Sequence, residues 1–366
     1  MEFLHDYYLA LIRKKRIGPL PSLLRGTLLI LSWLFGSVVM CRNCAYDHGL
    51  FSRHRPRIPV ISIGNITAGG SGKTPLTLLL AQAFYPNVPL AILSRGYRSP
   101  AEKLDHPLML SKGFGPLYPA AYCGDEPYLL AKNLPKAWII VGRDRKTASE
   151  MAAEAGAEII FLDDGMQRRS LARDLEVVVM NAGDPFGLGH FLPRGLLREG
   201  LHSLNRADII VINQTQDHAD FISLEQKIKA YTSAPVVGTR IEIISVWNGD
   251  RNIKDMIKNK KAGIFCGIAH PEQFEKTVKE LGIIPIMRRF LPDHKGFDHE
   301  GLQRFATECQ DAGAEWLICT EKDFVKLSQI ENMPLPIVWL QMKLRITEGE
   351  QLWKDFLASA KNLVSR

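Results

Sequence analysis

From residue 58 onward the chain alternates between short, nearly continuous apolar runs and longer segments whose apolar positions recur every three or four residues. The first pattern reads as strands buried on both faces, the second as helices packed on them. Apolar runs at 58–63, 90–94, 137–141, 158–162, 175–180 and 208–212 predict strands, with helices at 76–84 and 146–155. That alternation predicts an α/β fold: a parallel sheet covered by helices on both faces. Functional side chains in such sheets collect just past the strand C-termini. Residues 215–260 are polar, with broken strand signals that include 236–244. A second α/β rhythm then begins, with strands at 262–268, 284–290, 316–320 and 337–341 and helices at 271–281, 298–312 and 350–363. The reading is a helical segment over 1–45, a first α/β domain over 46–240 and a smaller second one over 241–366.

The loop after the first predicted strand carries the most specific chemistry. It reads Gly64-Asn65-Ile66-Thr67-Ala68-Gly69-Gly70-Ser71-Gly72-Lys73-Thr74, and Pro75 follows in the first turn of the next helix. Glycines let the backbone curl so that its N–H groups face phosphate oxygens, and the helix N-terminus adds positive dipole. Lys73 adds a mobile charge and the Thr74 hydroxyl can reach Mg²⁺. Thr67 stands where the strict pattern has Gly, so the reading rests on Gly69-Gly70-Ser71-Gly72-Lys73-Thr74 and its strand–loop–helix setting. Thr67 to Thr74 are the expected nucleotide-cradling residues of a P-loop triphosphatase or kinase.

Further along, Ile159-Ile160-Phe161-Leu162-Asp163-Asp164 reads as a Walker B element. Phosphoryl transfer places a carboxylate at a strand end to hold Mg²⁺ against the nucleotide. Gly124-Asp125-Glu126-Pro127 reads as a loop entering a helix. Asp125 is either an N-cap or a general base that takes a hydroxyl proton from an acceptor. His294 follows a strand of the second domain, and Glu199 is one more acid that could reach the metal. Arginines are dense after the predicted strands. Arg95, Arg143 and Arg194 are the candidate phosphate ligands among them, because arginine grips phosphate with two parallel N–H groups.

The N-terminus changes the picture. Lys14-Lys15-Arg16 precede an uncharged apolar segment from Gly26 to Cys41, bracketed by Arg25 and Arg42. As a helix that segment covers roughly 24 Å, short of a hydrocarbon core of about 30 Å. A helix lying in or dipping into a membrane face is preferred, with the basic cluster touching anionic headgroups. A full span and a buried core helix remain open alternatives. The net charge is +7 over 366 residues, with 46% hydrophobic content. Six cysteines include only one close pair, Cys41 and Cys44, with no second pair to complete a zinc site.

Taken in order, these motifs resemble the tetraacyldisaccharide 4′-kinase family of lipid A biosynthesis. The resemblance covers nearly the whole chain. It rests on Gly64 to Pro75, Ser94-Arg95-Gly96-Tyr97, Gly124 to Pro127, Asp163-Asp164-Gly165-Met166-Gln167, Pro193-Arg194-Gly195 with Arg198-Glu199, and Asp293-His294. Met166 stands where the family favours an aromatic. The resemblance implies transfer of the γ-phosphate of ATP, with Mg²⁺, to the 4′-hydroxyl of a membrane-embedded glycolipid. The place implied is the cytoplasmic face of the inner membrane of a Gram-negative-type bacterium. It also implies that Asp125 is the general base with His294 as its partner, and that Thr74, Asp163, Asp164 and Glu199 are on the metal side. A GTPase switch on the same scaffold would carry a guanine-reading Asn-Lys-x-Asp segment. Val211-Ile212-Asn213-Gln214 lacks its Lys and Asp. A nucleic-acid reader would interleave aromatics with its basic residues, and these arginines do not.

Overall fold

Buried apolar strands dominate the computed structural model, which describes residues 2–292, 296–327 and 333–364. Among these residues thirteen strands form one sheet. They are β1 Val60–Gly64, β2 Leu90–Ser94, β3 Leu108–Lys112, β4 Trp138–Val141, β5 Ile159–Asp163, β6 Leu175–Asn181, β7 Ile209–Asn213, β8 Val236–Asn248, β9 Arg251–Asn252, β10 Lys261–Cys266, β11 Ile284–Phe290, β12 Trp316–Thr320 and β13 Ile337–Glu348. The helices are α1 Glu2–Ile12, α2 Pro19–Asp47, α3 Lys73–Gln82, α4 Ala120–Cys123, α5 Asp125–Asn133, α6 Arg145–Glu154, α7 His218–Lys229, α8 Pro271–Glu280, α9 His299–Asp311, α10 Glu321–Phe324 and α11 Glu350–Asn362.

The strand order is β11-β10-β12-β13-β8-β7-β6-β1-β5-β2-β4-β3, with β9 paired to β8. β1 lies between β5 and β6, and β5 lies between β1 and β2, all in parallel. The P-loop after β1 and the acids at the end of β5 therefore leave neighbouring strands on the same edge. Two antiparallel features depart from the sequence expectation. β3, which the sequence pattern did not signal, closes one edge antiparallel to β4. β8 and β13 form a long antiparallel pair in the middle of the sheet.

β8 is a single strand of 13 residues where the sequence reads as broken. Residues 236–239 pair with β7 and residues 238–247 with β13, so β8 joins the two rhythms into one sheet. Residue 240 lies inside β8. Leu344, Trp353, Phe356 and Ala360, from beyond that position, pack in the same core cluster as Ile61, Leu80 and Phe161. Within that core Phe84 and Phe161 meet edge to face, their ring centroids 5.4 Å apart.

The N-terminal apolar segment belongs to a helix longer than its uncharged stretch suggests. α2 has 29 residues, about 43 Å at 1.5 Å per residue. Its mean hydropathy reaches 1.8, and it is long and apolar enough to cross a membrane. Only Ser32, Gly36 and Val39 are buried, on a stripe spaced by one turn. The small stripe lets the helix approach Phe191 closely: a Cβ on Gly36 would lie 2.8 Å from that ring. The Ser32 hydroxyl donates to the Phe191 carbonyl at 2.7 Å. Leu23, Ile30, Trp33, Leu34, Val38 and Met40 are exposed. That pattern excludes a core helix.

Phe161 is fully buried in the main cluster. Phe161→Ala is expected to cost about 3–5 kcal/mol in denaturant unfolding. A loss under about 1 kcal/mol would mean that this cluster does not hold the sheet together.

Candidate active site

The P-loop is shaped by one buried amide. Asn65, fully buried just after β1, donates from Nδ2 to the Thr67 carbonyl at 2.7 Å and to Ser71 Oγ at 2.9 Å. Its Oδ1 accepts from Lys73 Nζ and from Arg198 Nη1, both at 3.4 Å. Gly72 has φ +90° at the start of α3, and a Cβ there would lie 2.0 Å from Asn213 Nδ2. Only glycine fits that close approach in that conformation. From outside, the loop is pinned by the segment 190–199. Ala68 N–H donates to the Leu196 carbonyl at 2.7 Å, and Arg198 N–H to the Ile66 carbonyl at 2.7 Å. From the other half of the sheet, Ala269 sits where a Cβ on Gly70 would be 2.8 Å away.

The two acids at the end of β5 are differentiated. Asp163 is buried, and its Oδ2 accepts from Ser94 Oγ at 3.0 Å. Its Oδ1 has no hydrogen-bond partner among the described residues. Burial, and then the neighbouring Glu126 and Asp164 carboxylates, push the Asp163 carboxyl up to about 7. Asp164 adopts φ +51°, a left-handed conformation that is uncommon outside glycine. It meets Lys73 Nζ at 3.6 Å and Arg198 Nη1 at 2.9 Å. Burial alone would raise it, but Lys73 and Arg198 win and hold its carboxyl down at about 2.

Asp125 is the first residue of α5, and Gly124, at φ +98°, occupies the cap position. The expected N-cap role therefore passes to the glycine. Asp125 is buried, and its Oδ1 accepts from the Glu126 N–H at 3.0 Å. Lys322 Nζ, from α10 across the sheet, lies 3.5 Å from Asp125 Oδ2 and 3.7 Å from Glu126 Oε1. From the sequence, Glu321-Lys322-Asp323 could be a helix cap or part of the nucleotide pocket. In the structure Lys322 reaches Asp125, Glu321 accepts from Asn133 at 3.1 Å, and Thr320 caps α10 by accepting from the Asp323 N–H at 3.1 Å. His294 lies outside the described residues.

The arginines divide. Arg95 and Arg143 converge on Glu102 at 2.7 and 3.3 Å, beside the ends of β2 and β4. Arg194 is placed elsewhere: it is buried and donates to the Ile12 carbonyl at 3.2 Å, tying α1 to the body. Glu199 is also drawn away from the expected acid cluster. Its Oε2 accepts from Asn43 of α2, Ser203 and Arg206 at 2.9, 2.8 and 2.7 Å. Burial would raise its carboxyl, and Arg206 more than offsets that and lowers it. Its Oε1 accepts no hydrogen bond among the described residues.

The family model described as tetraacyldisaccharide-1-P 4′-kinase matches residues 24–361. The chain belongs to this kinase family. Members similar to it include the tetraacyldisaccharide 4′-kinase of Anaeromyxobacter sp. (strain K), 36% identical over 321 residues, 86% of this chain and 84% of that protein. The tetraacyldisaccharide 4′-kinase of Chlamydia pneumoniae is 34% identical over 329 residues, 88% and 87% of the two chains. Among solved structures, the "apo" form of LpxK from Aquifex aeolicus in complex with ATP superposes with a TM-score of 0.73 at 31% identity. It covers 92% of this chain and 99% of that one.

Within the kinase family frame, the oxygen donors near the P-loop suit a hard cation. Thr74 is the second residue of α3, and Asp163 keeps one buried oxygen without a hydrogen-bond partner among the described residues. Among the described residues no group of three or more His, Cys, Asp or Glu forms a cage. Mg²⁺ does not need one, because it binds through one or two carboxylates together with substrate phosphates.

The raised carboxyl of Asp163 has a sign that can be checked in protein free of metal and nucleotide. Below about pH 3 it is largely protonated whether folded or unfolded. Between about 4 and 7 the unfolded chain ionises it first, so the folded state loses stability as pH rises. Asp163→Asn removes that cost. It should raise the melting temperature by several degrees at about pH 8, and the gain should shrink towards about pH 4. A gain independent of pH would contradict this account.

Proposed function

We propose that this chain is an ATP-dependent kinase that phosphorylates the 4′-hydroxyl of tetraacyldisaccharide 1-phosphate, a lipid A precursor. It works at the cytoplasmic face of the inner membrane, with α2 set into the bilayer surface. The observation that carries this reading is a convergence on one sheet edge. The Asn65-shaped P-loop, the Asp163-Asp164 strand end and the Asp125–Lys322 pair gather there, in a chain matched by the kinase family over residues 24–361.

Residues Thr67 to Thr74 enclose the ATP phosphates with backbone N–H groups. Lys73 and Arg198 supply positive charge on one side of the transferred group, already held there by Asp164. Thr74 and Asp163, with Asp164 behind them, would hold Mg²⁺, which would neutralise charge on the phosphates. A sugar hydroxyl is a weak nucleophile, so Asp125 accepts its proton as the hydroxyl attacks. Lys322 fixes the Asp125 carboxylate from the far half of the sheet. His294 is the proposed partner of Asp125. Arg95 and Arg143 are proposed to meet substrate anions, and exchange of Glu102 for phosphate would free them.

An acylated acceptor stays in the bilayer, so the enzyme must come to it. The exposed apolar residues of α2 and the basic Lys14-Lys15-Arg16 cluster supply an apolar and an electrostatic attraction to that surface.

Transfer of ³²P from γ-labelled ATP to the disaccharide 1-phosphate in detergent micelles tests the reading. Asp125→Ala should reduce transfer by about 10²–10⁴-fold while ATP binding persists. Unchanged transfer in this variant would remove Asp125 from the mechanism.

A further inference from the structure

The far half of the sheet sends one cation into the transfer site, and several contacts aim it. α10 follows β12, and its Asp323 accepts from the Gly267 N–H at 3.0 Å. Two residues after Gly267, Ala269 lies against Gly70 of the P-loop. On its other flank α10 meets α5. Glu321 accepts from Asn133 at 3.1 Å, Phe324 stacks on Trp339 with ring centroids 5.7 Å apart, and Lys132 of α5 lies 4.9 Å from the centre of the same Trp339 ring. α10 is thus tied both to the P-loop side and to the helix that carries Asp125, and Lys322 is the side chain it extends towards the acids.

The contacts of Lys322 are those of a point charge. Its Nζ lies 3.5 Å from Asp125 Oδ2 and 3.7 Å from Glu126 Oε1, both longer than a charge-assisted hydrogen bond of about 2.7–2.9 Å. The side chain is 18% exposed, so its charge is weakly screened. Glu126 in turn faces the acids at the end of β5, because after burial its carboxylate is the foremost influence raising Asp163. The ammonium therefore borders both the proton-accepting carboxylate and the acid edge. A separate carboxylate, Asp164, keeps Lys73 and Arg198 at 3.6 and 2.9 Å. Three cations from three parts of the chain converge on this edge, each kept there by carboxylates. Phosphoryl transfer spreads negative charge over the oxygens of the moving group, and preplaced cations stabilise that charge.

We propose that Lys322 is a catalytic residue of the transfer: its ammonium leaves the Asp125–Glu126 pair and bonds an oxygen of the phosphoryl group in flight. The assignment rests on the kinase reading above and extends it, since there Lys322 only fixes Asp125. In the step, the acceptor hydroxyl oxygen bonds the γ-phosphorus and the bond from that phosphorus to the β–γ bridging oxygen breaks. ADP leaves with the electron pair, and the hydroxyl proton passes to Asp125. Withdrawal of Lys322 uncovers Asp125 Oδ2 for that proton as the phosphoryl group comes to offer the ammonium more negative charge. Because Lys322 comes from the far half of the sheet, the positive charge of the site is complete only with both halves in place.

The test uses the full chain in mixed micelles with Mg²⁺ and two charge-free variants, Lys322→Met and Lys322→Gln, the second serving where the first does not fold. Transfer from ATP to the disaccharide 1-phosphate should fall about 10²–10³-fold in kcat, with the KM for ATP and for the acceptor within about threefold of wild type. Lys322→Arg should recover at least about a tenth of the wild-type kcat. The deciding readout is ADP with fluoroaluminate, which mimics the phosphoryl group in flight. Wild type should bind ADP more tightly when fluoroaluminate is present. The charge-free variants should lose about tenfold or more of that gain, while binding of ADP alone stays within about twofold. Asp125→Ala should slow transfer yet keep the gain. A kcat within about tenfold of wild type, an undiminished gain, or an equal loss for ADP alone in the charge-free variants would overturn the proposal. So would loss of the gain in Asp125→Ala, which would place the effect of Lys322 in Asp125 alone. Were wild type to leave the disaccharide unphosphorylated, the acceptor reading would be the one to fail, and the fluoroaluminate measurement would still decide. A gain that depends on Lys322 supports the assignment; no gain in wild type, or one independent of Lys322, overturns it.

Discussion

The side chain of Asn65 is the contact on which the site depends. Its amide donates into the P-loop at two points, and its carbonyl accepts from the two cations that face Asp164. One buried group thus fixes the curl of the loop and the position of its positive charge. A charged residue could not replace it, because both a donor and an acceptor are needed there. Gln167 donates to the Asn65 backbone carbonyl at 2.8 Å, so the turn after β5 is tied to the same point. Loop, cations and acids are therefore positioned before any nucleotide arrives, which is the form of preorganisation that phosphoryl transfer rewards.

Around that point the sheet and the apolar helix are linked by short contact chains. α2 docks on Phe191, and the segment carrying Phe191 pins the P-loop through Leu196, Leu197 and Arg198. Asn43 near the end of α2 reaches Glu199 in the same segment. A helix suited to a bilayer is thus two contacts from the nucleotide loop. From the opposite side, β8 and β13 bring the second half of the sheet against the first, and Lys322 and Ala269 complete the walls of the site.

Much of this was legible in the chain. Apolar runs marked most strands because those strands are buried on both faces, and the Gly-Lys-Thr core located the P-loop because few other uses need that chemistry. What escaped notice was long-range or polar. β3 is a half-buried edge strand with a weak signal. β8 pairs with different neighbours along its length, and its alternation of exposed and buried residues read as interruption. Glu321-Lys322-Asp323 stayed open between a helix cap and a part of the nucleotide pocket, since nothing local shows that α10 faces α5. Arg194 and Glu199 share a short motif with Arg198, yet only Arg198 turns to the P-loop acids. Their directions are set by α1, α2 and Arg206, which lie far away in sequence or are silent in pattern. The length of α2 was underestimated because charge, which marks the ends of its apolar stretch, does not stop a helix.

The central claim is that this sheet edge directs phosphate to one hydroxyl of a bilayer-held disaccharide. The most direct measurement is the position of the new phosphate, read by phosphorus–proton NMR correlation on the product of the full-length protein with ATP. The account predicts one new phosphate monoester coupled to the 4′ proton of the sugar. A new phosphate at another hydroxyl, or release of inorganic phosphate with the acceptor unchanged, would contradict it.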